Sequence, residues 1–93
     1  MKRFTYIVSD PQGLHARNAV SLCRLAGTYQ SQIDMAEPES GKPGEIRRKA
    51  DCKDMIALMG LCVHQNAAVE ITIEGDDEKE AFAILTAALP TIL

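Results

Sequence analysis

Apolar and polar positions recur at two different periods along this chain, and the switches between them divide it into seven elements. Residues 3–9 (Arg-Phe-Thr-Tyr-Ile-Val-Ser) are rich in β-branched and aromatic types and predict a strand. Asp10-Pro11-Gln12-Gly13 is turn chemistry that stops it. From Ala16 the period lengthens. Ala19, Leu22, Cys23 and Ala26 fall at i, i+3, i+4 and i+7, one face of a helix, with Arg17, Ser21 and Arg24 off that stripe. Gly27 is the expected C-terminal stop. Residues 31–37 alternate polar and apolar, as a half-exposed strand does. Pro38 to Gly44 cannot be regular structure and reads as a long polar hairpin loop to which no function is assigned. The strand expected next, over about 45–52, carries Arg47, Arg48 and Lys49, a basic run that suits a solvated edge discouraging sheet-to-sheet association.

Asp54 then precedes Met55-Ile56-Ala57-Leu58-Met59, a short apolar helix with Asp54 as its N-cap and Gly60 beyond it. Ala67 to Glu74 is the clearest strand: Val69, Ile71 and Ile73 face one way and Glu70, Thr72 and Glu74 the other. Asp77-Glu78-Lys79-Glu80 has capping-box spacing and introduces a last helix. Its apolar stripe is Ala81, Ile84, Leu85, Ala88 and Leu89, with Pro90 near its end. The order β-α-β-β-α-β-α, with two-faced strands and amphipathic helices, predicts an α/β (α+β) open-faced sandwich in which helices cover one face of an antiparallel sheet. One domain over residues 1–93 is expected.

Composition narrows the class. An apolar content of 46% with 25% charged residues is that of a globular chain. A net charge of −3, with no basic run interleaved with aromatics, argues against nucleic-acid binding. No apolar run is long enough to span a bilayer. The first residues run straight into a strand pattern, so no signal peptide is expected. Cys23, Cys52 and Cys62 are odd in number and form no CxxC pair, which suits reduced thiols in a cytoplasmic protein. The only other histidine besides His15 is His64, to which no role is assigned, so no metal site and no cofactor are expected.

The candidate chemistry lies in Gly13-Leu14-His15-Ala16-Arg17, where a loop becomes a helix. His15 falls at or just before the first helical turn, among backbone N–H groups that lack intrahelical partners. Those donors and the positive end of the helix dipole favour an anion, and Arg17 adds a planar cation suited to phosphate oxygens. An imidazole nucleophile beside an anion cradle and a guanidinium suggests a histidine that carries a phosphoryl group. The plainer alternative is a loop histidine with no chemistry.

This pentapeptide, in this order of elements, resembles the HPr family, the histidine-containing phosphocarriers of the bacterial sugar phosphotransferase system. Lys53-Asp54-Met55-Ile56-Ala57-Leu58-Met59-Gly60-Leu61 is similar to the family's regulatory-site helix, and Ile73-Glu74-Gly75-Asp76-Asp77-Glu78 to its final strand-to-helix turn. The resemblance implies an HPr-like sandwich and a carrier rather than an enzyme. His15 would take phosphate from phospho-Enzyme I and pass it to an Enzyme II A-domain. Arg17 would stabilise the phosphate, with Ala16 and Asn18 in the cradle. Ala16, Val20, Arg24, Met55 and Met59 would dock partners, although Met55 and Met59 fit a buried core equally well. Nothing in the pattern requires more than a monomer.

Two positions depart from the family's pattern. Asn18 stands where the family has proline, which restores an N–H, offers a possible phosphate donor and is expected to loosen the first turn. Asp54 stands where many members carry a phosphorylatable serine, and no Ser or Thr occurs between Ser40 and Thr72. Kinase control at this site is therefore expected to be absent, with Asp54 acting as a helix cap rather than imitating phosphoserine. An alternative reading, a regulatory or adaptor module working through partner binding, draws on these two departures.

Overall fold

The computed structural model describes residues 1–38 and 46–93. Four strands, β1 (Lys2–Ile7), β2 (Gln32–Pro38), β3 (Ile46–Asp51) and β4 (Ala68–Glu74), form one sheet in the order β1-β4-β2-β3. Every neighbouring pair is antiparallel. Helices α1 (Ala16–Gly27), α2 (Met55–Gly60) and α3 (Glu78–Ile92) complete the predicted order. Of the expected 38–44 loop, Pro38 closes β2 and residues 39–44 lie outside the described residues.

The core lies where period-2 and period-3.6 stripes meet. Val69, Ile71 and Ile73 of β4 and Ile33 and Met35 of β2 are buried against Ala19, Leu22 and Ala26 of α1 and Ala81, Leu85 and Leu89 of α3. Phe4 of β1 meets Phe82 of α3 edge to face at 5.6 Å between ring centroids. Ile84, placed on the α3 stripe by spacing, is instead exposed, because a helix turns that position past the edge of its contact. β3 is an edge strand, and its Arg48 and Lys49 are exposed as expected. Glu70 sits on the face away from Ile71 yet is nearly buried, flanked on the middle strand by Thr5 and Ala36 and paired with Arg3 Nε at 3.3 Å.

Three element ends differ from expectation. The capping-box spacing at Asp77 is not used: its carboxylate makes no cap bond and instead accepts the N–H groups of Gln30 (2.8 Å) and Ser31 (2.9 Å) and the Ser31 hydroxyl. A distant turn outcompetes the local cap, and Asp77 fastens the α1–β2 connection to the start of α3. Gly27 does not leave its helix in the left-handed region. The exit is made by right-handed Thr28, whose N–H and hydroxyl both donate to the Leu25 carbonyl. Gly60 likewise stays helical, and the chain turns two residues later at Cys62, a non-glycine residue with φ 53°.

Candidate functional site

The segment between β1 and α1 is pinned from both sides. Gly13 has φ +68°, and a Cβ there would meet the Val63 carbonyl at 2.3 Å and His64 Cα at 2.9 Å, so only glycine fits. Leu14 is buried and its N–H donates to that same Val63 carbonyl at 2.9 Å. The Ser9 and Asp10 N–H groups both donate to the carbonyl of Leu93, at 2.9 and 2.7 Å. The loop is thus held to the segment after α2 and to the end of α3 before any side chain is considered.

His15 is the N-cap of α1, with extended backbone (φ −135°, ψ 178°) and a half-buried side chain. The first intrahelical bond runs from the Ala19 N–H to the His15 carbonyl, 2.9 Å. The N–H groups of Ala16, Arg17 and Asn18 precede it and belong to the orphan donors of the helix start. His15 and Asn18 face each other in capping-box fashion. Its hydrogen-bonded half is the His15 N–H donating to Asn18 Oδ1 at 2.8 Å. The imidazole makes no cap bond to the backbone; its Nε2 lies 3.1 Å from Asp10 Oδ2.

Asp10 is an acceptor at the centre of this loop. It takes the Gln12 N–H at 2.9 Å and the His15 ring, and the Asn18 amide approaches at 3.5 Å. The Gln12 N–H first, and then the His15 ring, hold its carboxyl below the ordinary carboxylate value, so it is ionised at neutral pH. Sequence reading treated Asp10 only as a turn former. Its position five residues before the histidine, across a glycine turn, is the signal that could have marked it.

The expected loosening at Asn18 is corrected by its contacts. Asn18 is buried, its Oδ1 receives the His15 N–H and its Nδ2 donates to the Gly13 carbonyl at 2.8 Å. The side chain ties the loop to the first turn, and it is spent there rather than offered to an anion. What Asn18 can present is its backbone N–H. Arg17 is exposed, and among the described residues its guanidinium takes no ion-pair or hydrogen-bond partner. It lines one open cleft together with Asp10, Gln12, His15, Ser21 and Thr91.

The other expected residues lie elsewhere. α2 packs beside α1, and Asp54 caps it by accepting the Ala57 N–H at 3.1 Å. The two methionines divide: Met55 is partly buried against the core, while Met59 is 37% exposed. Ile56, which sequence reading passed over, is 86% exposed. On α1, Ala16 and Arg24 are exposed and Val20 is partly buried. His64 is exposed in the loop after α2. Burial pushes the Cys52 thiol far up, away from thiolate chemistry.

Residues 2–90 match the family described as the PTS HPr component phosphorylation site. The phosphocarrier protein HPr of Mycoplasma genitalium is 37% identical over 89 residues, covering 96% of this chain and 93% of that protein. Among solved structures, an HPr from Thermoanaerobacter tengcongensis superposes with a TM-score of 0.80 at 32% identity, covering 98% of this chain and 93% of the other. A mycoplasma histidine-containing phosphocarrier protein does so with 0.82 at 26% identity, covering 99% and 97%. With its histidine at the start of α1 and a sheet of the same topology, the chain belongs to the HPr family of phosphocarriers.

Proposed function

We propose that His15 is the residue that receives the phosphoryl group, taking it from phospho-Enzyme I and handing it to Enzyme II A-domains. The observation that carries this reading is an imidazole at a helix start whose ring makes no cap hydrogen bond. It stands in one cleft with a guanidinium that has no partner among the described residues and with the helix-start amides of Ala16, Arg17 and Asn18. Phosphoryl transfer asks a protein mainly for position and for donors facing the equatorial oxygens. Arg17 supplies planar donors and the amides supply the helix dipole's positive end. The protein carries the group without turning over a substrate of its own, needs no cofactor and works in the cytoplasm. All of these groups come from one chain, so one copy suffices.

Partners would dock on α1 and α2 around the cleft, against Ala16, Val20, Arg24, Met55 and Met59, to which exposed Ile56 is added. An adaptable methionine next to an exposed isoleucine suits a surface that meets more than one partner. Asp54 is the equivalent of the family's regulatory site and acts as a cap, with no hydroxyl nearby in sequence to modify. The adaptor alternative loses one of its two grounds, since Asn18 braces the site instead of loosening it.

Incubation with Enzyme I and phosphoenolpyruvate, followed by intact mass under non-acidic conditions, tests the reading. The wild type is expected to gain one phosphate that disappears on acidification, and His15→Ala to gain none. A wild type that gains nothing from several Enzyme I preparations would sink it.

A further inference from the structure

Helix α3 begins with charge and then loses it. After Glu78, Lys79 and Glu80 no charged residue occurs up to Leu93. A helix that lies on a core with only water outside it carries polar residues on its outer face. The outer face of α3 instead holds Ala83, Ile84, Ala87 and Thr91, all exposed, with Ile84 at 43%. Ile84, Ala87 and Thr91 follow one another at i, i+3 and i+7 and so form one row along the helix. This row does not end in open solvent. Thr91 lines the cleft that holds His15 and Arg17, and the end of α3 is tied to the same loop through the Leu93 carbonyl. At the rise of an α-helix, Ile84 lies about 10 Å along the axis from Thr91.

We infer that the row Ile84, Ala87 and Thr91 of α3 is an interaction surface for the phosphoryl donor. The donor seats an uncharged, apolar part of its own surface there while its phosphoryl group enters the cleft. The inference rests on His15 being the acceptor proposed above. A donor that reaches His15 must cover the cleft, whose walls come from the loop after β1, the start of α1 and the last turn of α3. A protein contact of ~800 Å² on each side is about 30 Å across, so one centred on the cleft reaches as far as Ile84. Helix α1 packs against both α2 and α3, and each of these neighbours exposes an apolar group, Ile56 and Met59 on one and this row on the other. Charge divides the tasks. Arg17 stands free for the anionic group, whereas the row offers no counter-charge, so a charged partner surface would be buried there at a cost. A second copy of the chain is the weaker occupant. One isoleucine with three small side chains is a minor part of the ~800 Å² that a stable dimer needs on each side. The row therefore extends a larger contact that begins at the cleft.

The test phosphorylates the full chain with phospho-Enzyme I over a range of concentrations and follows the initial rate by intact mass under non-acidic conditions. Ile84→Glu is expected to raise the half-saturating concentration roughly tenfold, as loss of a contributing interface residue does, and to leave the maximal rate unchanged. Ala87→Glu should shift it in the same direction by a smaller factor. Lys79→Gln changes the net charge by the same single unit at the other end of α3 and should behave as wild type. In a methyl NMR titration of wild type with unphosphorylated Enzyme I, the Ile84 signal should shift together with that of Ile56. A merely structural role would lower stability and leave the half-saturating concentration where it was. A folded Ile84→Glu with the wild-type value, or an Ile84 methyl that does not move, overturns the inference and leaves the carrier reading intact. So does an Ile84 methyl that responds instead to raising the concentration of the protein alone, which would make the row a contact between copies. If Ile84→Glu fails to fold, Ala87→Glu and the titration decide. A wild type that takes no phosphate from phospho-Enzyme I sinks the carrier reading, and this inference falls with it.

Discussion

Helices α1 and α2 pack against each other, and their first residues are used in opposite ways. At α2 the N-cap carboxylate of Asp54 accepts the Ala57 N–H, so the side chain is committed to closing its own helix. At α1 the N-cap is His15, whose ring makes no cap bond. The duties of a cap pass to others: Asn18 receives the His15 N–H and bonds Gly13, and the Val63 and Leu93 carbonyls hold the loop before it. A side chain engaged in structure is not available for chemistry. The α1 start leaves its imidazole out of the cap by distributing the structural work over Asn18 and two distant carbonyls, whereas the α2 start keeps cap and structure in one residue.

Substitutions can break this contrast, and the largest effect is expected at Gly13. Gly13→Ala would force a left-handed alanine against the 63–64 backbone, and urea denaturation is expected to show a loss of about 3 kcal/mol or more. Asn18→Ala comes next. It leaves the Gly13 carbonyl and the His15 N–H without their partner, and about 2 kcal/mol should be lost in the same measurement. Asp54→Ala should cost only about 1 kcal/mol, the ordinary worth of a cap, with faster hydrogen exchange at the Ala57 amide. If Asn18→Ala proved no more costly than Asp54→Ala, the distributed bracing of α1 would be refuted.

The smallest effect belongs to a third helix start, and only acid reveals it. The Ser31 hydroxyl first, and the Gln30 N–H next, hold the Asp77 carboxyl below its ordinary value of 3.8. A carboxyl lowered in the folded state contributes stability above its ordinary value and loses it as pH falls through the lowered one. Wild type should therefore have a higher urea midpoint than Asp77→Asn at neutral pH, with the gap closing in strong acid. A gap that stayed constant down the titration would contradict the assignment.

What could be read from residues alone follows the range of the forces involved. All seven elements were legible, within one or two residues at most ends, because burial writes its period directly into strings such as Val69, Ile71, Ile73 and Ala19, Leu22, Ala26. The Asp54 cap was legible because its partner is three residues away. Asp77 was misread because the same local spacing serves a cap or a long-range clamp, and the clamp partner is 46 residues distant. Asn18 was misread for a related reason: whether an amide loosens or braces a turn depends on where the Gly13 carbonyl points, which a left-handed glycine decides. Asp10 was seen as a turn former and missed as a partner of His15. The turn after α2 was hidden because Cys62, not a glycine, adopts the left-handed conformation.

The sheet order places β1 against β4, pairing Lys2 with Ile73, and the Ser9 and Asp10 amides close on Leu93. During synthesis the first strand therefore waits for one of the last segments to emerge. The chain must join distant ends, a loop closure that slows folding. The histidine is made early but its surroundings are completed late. A half-made chain holds His15 without its fixed neighbours, so the site proposed for the phosphoryl group takes shape only once β4 and α3 have joined β1.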